Sequence, residues 1–454
     1  MKHSSPLWSL KRSGNLDPER QRSAIALENL ARQLEESQWW TSAKLAEAQA
    51  QQLKKLAEHA EKHSPLFRRR LAQSGLSARE LTSVKSLFRL PVLHRRELQS
   101  AGNDAYCGEV PQNHLPVTET RTSGSTGEPV AVKKTALNNL FWHALTLREY
   151  FWHERDFSGR MTVIRPTVAA CVMRETWGPP VDLLFKTGPL QAIPVTTDIA
   201  QMIASMLQFQ PHELLVMPNI LQGIVEHCEH YKSRFADLQR IKTVGETLSP
   251  ELRARTEATL GIKITDSYSS QELGPIAVQC PNSELMHVMS ESLVVEVLKE
   301  NGEACRPREF GRVVVTDLHN FATPLVRYDI GDFAEVGGAC PCRRGLATLR
   351  RVLGRERNLI LMPDGTRHYP LVGFAKFRDV APVVQYQLIQ DGRETIEVRL
   401  VTERPLRAQE ESALRSVIQR ALGFPFELHF TYFKRQIPRQ PSGKFEEFVC
   451  KIGA

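Results

Sequence analysis

The residues Thr122-Ser123-Gly124-Ser125-Thr126-Gly127-Glu128-Pro129 interleave glycines with hydroxyl side chains. Gly124 and Gly127 would let backbone N–H groups crowd around an anion, and the hydroxyls of Ser125 and Thr126 can donate to phosphate oxygens. The segment is not the GxxxxGK[ST] loop, and it lies between two strand-like runs, so a helix N-terminus is not implied. Taken alone it reads first as a flexible turn. A second constellation is Cys280, His287, Cys340 and Cys342. Three thiolates and one imidazole make a closed tetrahedral zinc set, which leaves no open position for catalysis. The spacing is not a CxxC…CxxC pattern, so unligated thiols are the competing reading. Cys305 is a substitute ligand on the same reasoning. Four further segments could carry polar chemistry: Tyr268-Ser269-Ser270-Gln271-Glu272, Arg327-Tyr328-Asp329-Ile330-Gly331-Asp332, Gly354-Arg355-Glu356-Arg357-Asn358, and Pro438 to Lys444. Each is also an ordinary turn when read singly.

The elements that must position these residues follow from periodicity. Residues 1–22 read as a polar tail. Leu27, Leu30, Ala31 and Leu34 repeat at helical spacing, and Leu45, Leu53, Leu56, Ala57 and Ala60 continue a second helix that Pro65 ends. This helical lead-in spans about 24–75, with Trp39-Trp40 as its core anchor. Strands are expected at 115–120 and 129–133 around the Gly/Ser loop, then a helix over 137–151. Phe141-Trp142 and Tyr150-Phe151-Trp152 on that helix read mostly as core, with an aryl pocket wall as the alternative. Met161–Ile164, Leu214–Met217 and Ile241–Val244 read as strands, and Ile199 to Leu207 as a helix. Ser249-Pro250 opens another helix, with Ser as N-cap and Pro at the first helical position. This alternation argues for α/β layers. Residues 292–298, 311–318 and 324–329 are strand-rich and suggest a β subdomain over about 280–350. Beyond about 358 the order strand (383–390), strand (395–402), helix (407–421), strand (427–434) makes a small α+β unit.

Composition sets the outer limits. The chain has 454 residues, 41% apolar and 24% charged, as in an ordinary soluble globular protein. The balance of 59 basic against 51 acidic residues gives +8, which favours anionic partners in general. Eight sparse cysteines do not form a secreted disulfide scaffold. There is no signal-like apolar segment at Met1 to Gly14 and no apolar run long enough for a membrane span, so a cytoplasmic location is expected. Basic clusters at Arg68-Arg69-Arg70, Arg343-Arg344 and Arg350-Arg351 raise a zinc-containing nucleic-acid-binding protein as an alternative class. No aromatic-plus-basic recognition motif accompanies them. The last two clusters could instead meet the phosphates of a nucleotide cofactor.

In order along the chain, the 122–129 loop resembles the TSGSTGxP signature of the AMP-forming adenylating enzymes. Val244-Gly245-Glu246-Thr247 resembles their adenine-side segment. Tyr268–Glu272 resembles YGxTE, Tyr328–Asp332 resembles YRTGD, Gly354–Asn358 resembles the GRxDD hinge, and Pro438–Lys444 resembles PRxxSGK. Within that family the chain looks most like the phenylacetate–coenzyme A ligase branch. Its helical lead-in ends in HSPLF, Thr316-Asp317-Leu318 precedes Pro324-Leu325-Val326-Arg327-Tyr328, and Cys-Pro-Cys occupies 340–342.

The resemblance implies an α/β fold: a large N-terminal adenylating domain (1–357) of layered α/β subdomains plus the β subdomain. A small mobile α+β domain (358–454) would follow a hinge at Asn358. It implies ATP, Mg²⁺ and coenzyme A as cofactors and a small carboxylic acid, aryl or arylacetic, as substrate. A carrier-protein phosphopantetheine or an amine is the alternative acceptor, and a homodimer is left open. Ser123, Gly124, Ser125, Thr126 and Gly127 would hold the β/γ-phosphates. Gly245 and Glu246 would flank the adenine, with Tyr268 in the same nucleotide site. Glu272 would hold Mg²⁺. Asp332 would accept the ribose hydroxyls, with Arg355 beside it. Lys444 would reach in from the small domain during adenylation. Zinc on the Cys/His set is known in some members of the branch. Val130 stands where the wider family often has Lys, and Ser269, Gln271 and Asn358 replace Gly, Thr and an acid. These departures leave the identity of the acid open.

Overall fold

In the computed structural model of the chain, residues 6–10, 12–14, 16–121, 130–368, 370, 377–438 and 445–452 are described. Five strands run parallel in the order Leu190–Pro194, Met161–Arg165, Glu213–Val216, Arg240–Val244, Ile264–Ser270. Leu190–Pro194, Met161–Arg165 and Glu213–Val216 are buried along nearly their whole length because helices cover both faces, whereas Ile264–Ser270 carries polar residues toward its end. Met161 and Val163 point into a core shared with the helices Pro18–Ser37 and Ala136–Trp152. Ile164 points the other way, into a core built on Ile199–Phe209 and Pro218–Tyr231. Charges buried within the layer are paired: Arg155 meets Glu149 and Glu213, and Lys242 meets Glu149. The expected α/β fold is therefore observed.

The sheet then continues in antiparallel fashion. Gly274–Gln279 pairs with Ile264–Ser270, and the three-residue strand Met286–Val288 follows. Thr348–Arg355, Tyr328–Val336, Phe310–Asp317 and Leu293–Leu298 continue it, and Val172–Arg174, antiparallel to Leu190–Pro194 at the other edge, completes a twelve-stranded sheet. The run expected as a strand over 324–329 starts only at Tyr328. Arg327 has φ +52, held there by a two-pronged ion pair to Glu296 and by the carbonyls of Phe88 and Leu90.

The helical lead-in differs in detail from the sequence reading. Pro65 does not simply end a helix. Ser64 caps the next one, Pro65–Gln73, with Pro at its first position. The polar tail is partly core, because Trp8 is buried, packs edge-on against Phe151 at 4.9 Å and donates to Glu35. Trp39 is exposed while Trp40 is half-buried, so the pair is only half an anchor. Arg70 is buried and donates to the carbonyls of Val326 and Pro91, unlike its solvated neighbours Arg68 and Arg69. Among the described residues no helix is long and apolar enough to cross a membrane.

From Ile360 to Cys450 the chain builds a separate core. Its sheet has the order Glu427–Phe433, Thr395–Thr402, Val383–Gln390, Phe448–Cys450, with the helix Ala408–Leu422 against it. Three of these strands are periodic in sequence. Phe448–Cys450 is too short to signal itself and is recruited by parallel pairing to Leu388–Gln390. Glu447, just before it, is half-buried and receives the Tyr386 hydroxyl at 2.8 Å. Burial, reinforced by Glu251 and Glu226 of the large body, pushes its carboxyl up to about 7. The folded value lies above the unfolded one. The group therefore favours folding fully below about pH 4.5, and that contribution is lost as the pH rises through 7. Glu447→Gln, which mimics the protonated acid, is expected to raise the thermal midpoint by a few degrees at pH 8. The gain should vanish at pH 4. Equal effects at both pH values in calorimetric scans would contradict this assignment.

Candidate active site

Tyr268, Asp332 and Arg355 come from three strands and meet in one contact. The Tyr268 hydroxyl donates to Asp332 Oδ2 at 2.7 Å, and Arg355 Nε lies 2.9 Å from Asp332 Oδ1. Asp332 and Arg355 face each other directly in the ladder, so their pairing is set by register. Tyr268 is four strands away in the order of the sheet. At about 4.8 Å per strand a flat sheet would hold it roughly 19 Å off. The sheet must therefore fold over; between the two, the ladder is shortest where Met286–Val288 meets Thr348 and Leu349, and its register shifts at Tyr268/Ser269, Phe333/Ala334 and Glu335/Val336. Gly331, at φ +80, lets the strand pass under Arg355; a Cβ there would sit 3.1 Å from the guanidinium. Burial first, then the Asp332 charge, raises the Tyr268 phenol well above its ordinary range, so it stays a donor.

Glu272 is buried in the turn after Ile264–Ser270, with Arg95 Nη1 at 3.7 Å. Nearby, Lys134 lies on the strand Ala131–Thr135, which follows the Gly/Ser loop. Its Nζ stands 4.5 Å from the Trp142 ring, and Trp142 in turn packs on Gly274. Burial lowers the Lys134 ammonium to about 8, with Asp317 and Glu272 acting against the shift. Asp317 is pushed up to about 6 by its own burial, partly offset by Lys134. Sequence reasoning missed Lys134 and Arg95. Strand alternation could have found the first, because Lys134 shares the inward face of Val132. Phe141 stacks on His319 at 3.9 Å, whereas Tyr150, Phe151 and Trp152 are buried core.

Gly245 turns the chain at φ +83 after Arg240–Val244. Glu246 then accepts from the backbone N–H of Asn219 at 3.0 Å and of Phe445 at 3.1 Å. Asn358 lies in the 3-10 turn Glu356–Asn358 without a positive φ. Its side chain accepts from Arg355 N and donates to the Phe448 carbonyl, both at 2.8 Å. Ser123, Gly124, Ser125, Thr126, Gly127 and Lys444 lie outside the described residues. Three of the four arginines suggested for phosphate are engaged elsewhere, and Arg343 is exposed. Arg344 is sandwiched between Trp39 and Trp152, and Arg350 and Arg351 both pair with Glu335.

Cys280, His287, Cys340 and Cys342 converge, with all candidate ligand atoms within 4.8 Å of one another. The Cys280 and Cys340 sulfurs are 3.6 Å apart, near the edge of about 3.8 Å that bonds of ~2.3 Å give a tetrahedron. Backbone N–H groups of Asn282 and Arg344 point at Cys280 and Cys342. Burial, then Arg344, lowers the His287 imidazole to about 4, which keeps it in the neutral form that metals bind. Cys305 is not in the group; it donates to the Phe310 carbonyl.

A five-stranded parallel body, a curled antiparallel extension and a small α+β unit at the C-terminus form the architecture of adenylate-forming ligases. The chain belongs to the AMP-binding enzyme family, whose sequence profile matches residues 27–322, and residues 374–451 match the CapK C-terminal domain. It is 24% identical over 403 residues to phenylacetate–coenzyme A ligase of Pseudomonas putida, covering 82% of this chain and 85% of that one. Among solved structures, 2-hydroxyisobutyryl-CoA ligase in its postadenylation state superimposes with a TM-score of 0.72 at 17% identity, covering 91% of each chain. The same enzyme with 2-HIB-AMP and CoA in its thioesterification state gives 0.59 at 18% identity, again covering 91% of each chain. These matches give no support to a nucleic-acid-binding zinc module.

The Asp332 contact should be visible in stability. Tyr268→Phe is expected to cost about 1 kcal/mol. Asp332→Ala, which strips Arg355 of its counter-charge and leaves the phenol unpaired, should cost about 3 kcal/mol. Urea unfolding that ranks the two variants in the opposite order would contradict the geometry.

Proposed function

We propose that this chain is an ATP- and Mg²⁺-dependent ligase. It joins a carboxylic acid, aryl or arylacetic, to AMP and then passes the acyl group to coenzyme A. In the first step a carboxylate oxygen attacks the α-phosphorus and pyrophosphate leaves. In the second the thiol sulfur attacks the carbonyl carbon, its proton is lost, and AMP leaves. The observation that carries this reading is the Tyr268–Asp332–Arg355 contact inside a chain of the AMP-binding family. A carboxylate has about four acceptor positions. Tyr268 and Arg355 engage one oxygen each, which leaves lone pairs for a pair of ribose hydroxyls.

The remaining roles follow the same reading. Glu272 would hold Mg²⁺, a hard cation that takes oxygen ligands and keeps several waters. Ser123, Ser125, Thr126 and the loop glycines would cradle the β/γ-phosphates, and Gly245 would let the adenine approach the backbone. The large domain would end at Arg357 and the small one would pivot at Asn358, bringing Lys444 to the reacting phosphate. The higher superposition on the postadenylation form supports an adenylating arrangement of the two units. The names of the relatives support an acyl-CoA product. A cytoplasmic location, where ATP and coenzyme A are abundant, belongs with this reading.

Pyrophosphate release over a panel of aryl, fatty and amino acids tests it, with and without coenzyme A. An arylacetic or aryl acid should give ATP-dependent release, and a thioester should form only when coenzyme A is added. Release with no acid in the panel would sink the ligase reading, and a product with amines alone would replace the acceptor. The Cys/His quartet would hold a structural zinc. Elemental analysis should return about one zinc per chain. Replacing Cys340 and Cys342 by Ser should remove it and lower the thermal midpoint more than adenylation. A metal-free native protein would end that assignment.

A further inference from the structure

Glu246 has a place in the structure that its neighbourhood to a nucleotide does not explain. Its carboxylate joins two parts of the molecule that are far apart in sequence. Oε2 accepts the backbone N–H of Asn219, at the N-terminal end of the helix Pro218–Tyr231. Pro218, at the first position of that helix, has no N–H, and Met217 supplies no side-chain cap. The Asn219 N–H is thus the first donor the helix end offers, and an acid there is favoured by the aligned peptide dipoles. Oε1 accepts the backbone N–H of Phe445, 199 residues further on.

The second bond crosses between the two units. Phe445 begins the segment that leads through Glu446 and Glu447 into the strand Phe448–Cys450 of the small unit's sheet. Tyr386 and Gln387 tie this segment to the small unit's own sheet, and at the junction Arg357 pairs with Glu446 at 2.9 Å and Asn358 donates to Phe448. The junction ties lie beside the pivot. Glu246 belongs to the large body, because it follows Arg240–Val244 of the parallel sheet. A neighbouring cross-contact, Arg378 to Glu229, is looser at 3.9 Å. It lands on the same helix, so Pro218–Tyr231 is the ledge on which the small unit rests.

We propose that Glu246 is a positioning residue that clasps the small unit to the large body for the adenylating half-reaction. The clasp holds the Phe445 backbone at the end of the helix Pro218–Tyr231, and Lys444 is the residue immediately before it in the chain. The bond is charge-assisted, which gives it strength, yet it is a backbone contact that a domain rotation can break and water can replace. A carboxylate left behind still caps Asn219, so release does not leave a bare charge. The clasp rests on the ligase reading above, but its geometry can be tested without turnover.

The experiment uses the full chain, with Glu246→Ala and Glu246→Gln compared against the unchanged protein. Hydrogen exchange without substrates reads the clasp itself. The peptide that begins at Phe445 should exchange about tenfold faster in Glu246→Ala, with a smaller increase in Glu246→Gln, whose amide oxygen can still accept. Pyrophosphate exchange reads the first half-reaction, and thioester formation from synthetic acyl-adenylate and coenzyme A reads the second. Glu246→Ala should slow the first by about tenfold or more and the second by clearly less, whatever share of acyl-adenylate binding is lost with it. Unchanged exchange at Phe445 overturns the clasp. Unchanged adenylation, or an equal fall in both half-reactions, overturns the positioning role. If Glu246→Ala does not fold, Glu246→Gln carries the same comparison with smaller shifts. If the unchanged protein makes no adenylate from any acid in the panel, the ligase reading fails, and the exchange measurement still decides whether the clasp exists.

Discussion

The site depends on one constraint: the twelve-stranded sheet cannot stay flat. Tyr268 and Asp332 touch at 2.7 Å although four strand steps separate them. A regular ladder would forbid this, because each step adds about 4.8 Å. The fold-over is possible because one strand is only three residues long. Met286–Val288 pairs with Gly274–Gln279 on one side and with Thr348 and Leu349 on the other. Past Leu349 the ladder ends, and the strand carrying Arg355 swings over the strand carrying Tyr268. Without that short joint the three side chains would share a sheet and never a site.

A joint made of three residues is a weak point, and the sequence puts its densest polar chemistry there. His287 is the middle residue of the joint strand, Cys280 follows the strand on one side, and Cys340 and Cys342 lie in the loop that enters the strand on the other. The quartet therefore spans both halves of the sheet at the place where backbone hydrogen bonds are fewest. This gives a structural reason for a closed ligand set remote from any reacting atom. A metal clip there would fix the angle between the halves, and that angle sets the distance from Tyr268 to Asp332.

Sequence carries the parts of this arrangement that are local. Three of the five parallel strands, the helix capped by Ser249 and the small unit's two long strands and helix announce themselves through period and caps, and they form where expected, whereas Leu190–Pro194 gives no signal of its own. Tyr268, Asp332 and Arg355 stand out as members of short motifs, and the Cys/His set stands out by residue type. What is not legible is how far the sheet bends, because a bend is set by which strand is short and where its pairing stops. The same limit explains the misread segments. Arg327 leaves the strand conformation because Glu296 and the carbonyls of Phe88 and Leu90 hold its side chain. Trp8 is buried by partners more than twenty residues away, in a stretch with no periodicity of its own.

The molecule thus divides its work between rigid and separable contacts. Asp332 and Arg355 are register partners within one ladder, and Tyr268 is locked by burial, so this part of the site is formed before any ligand arrives. The contacts between the large body and the small unit are of another kind. Among the described residues they are polar and partly exposed: the Phe445 backbone N–H on Glu246, a long Arg378–Glu229 pair, and the Arg357–Glu446 pair. Among the described residues the apolar link between them is small: Leu359 packs with Phe333 and Leu353, while the residues from Ile360 to Cys450 form a core of their own. An apolar seam would resist opening in proportion to its area, whereas polar contacts exchange with water at small net cost. For the two-step ligase proposed above, that asymmetry would supply a fixed nucleotide side and a cover that comes away.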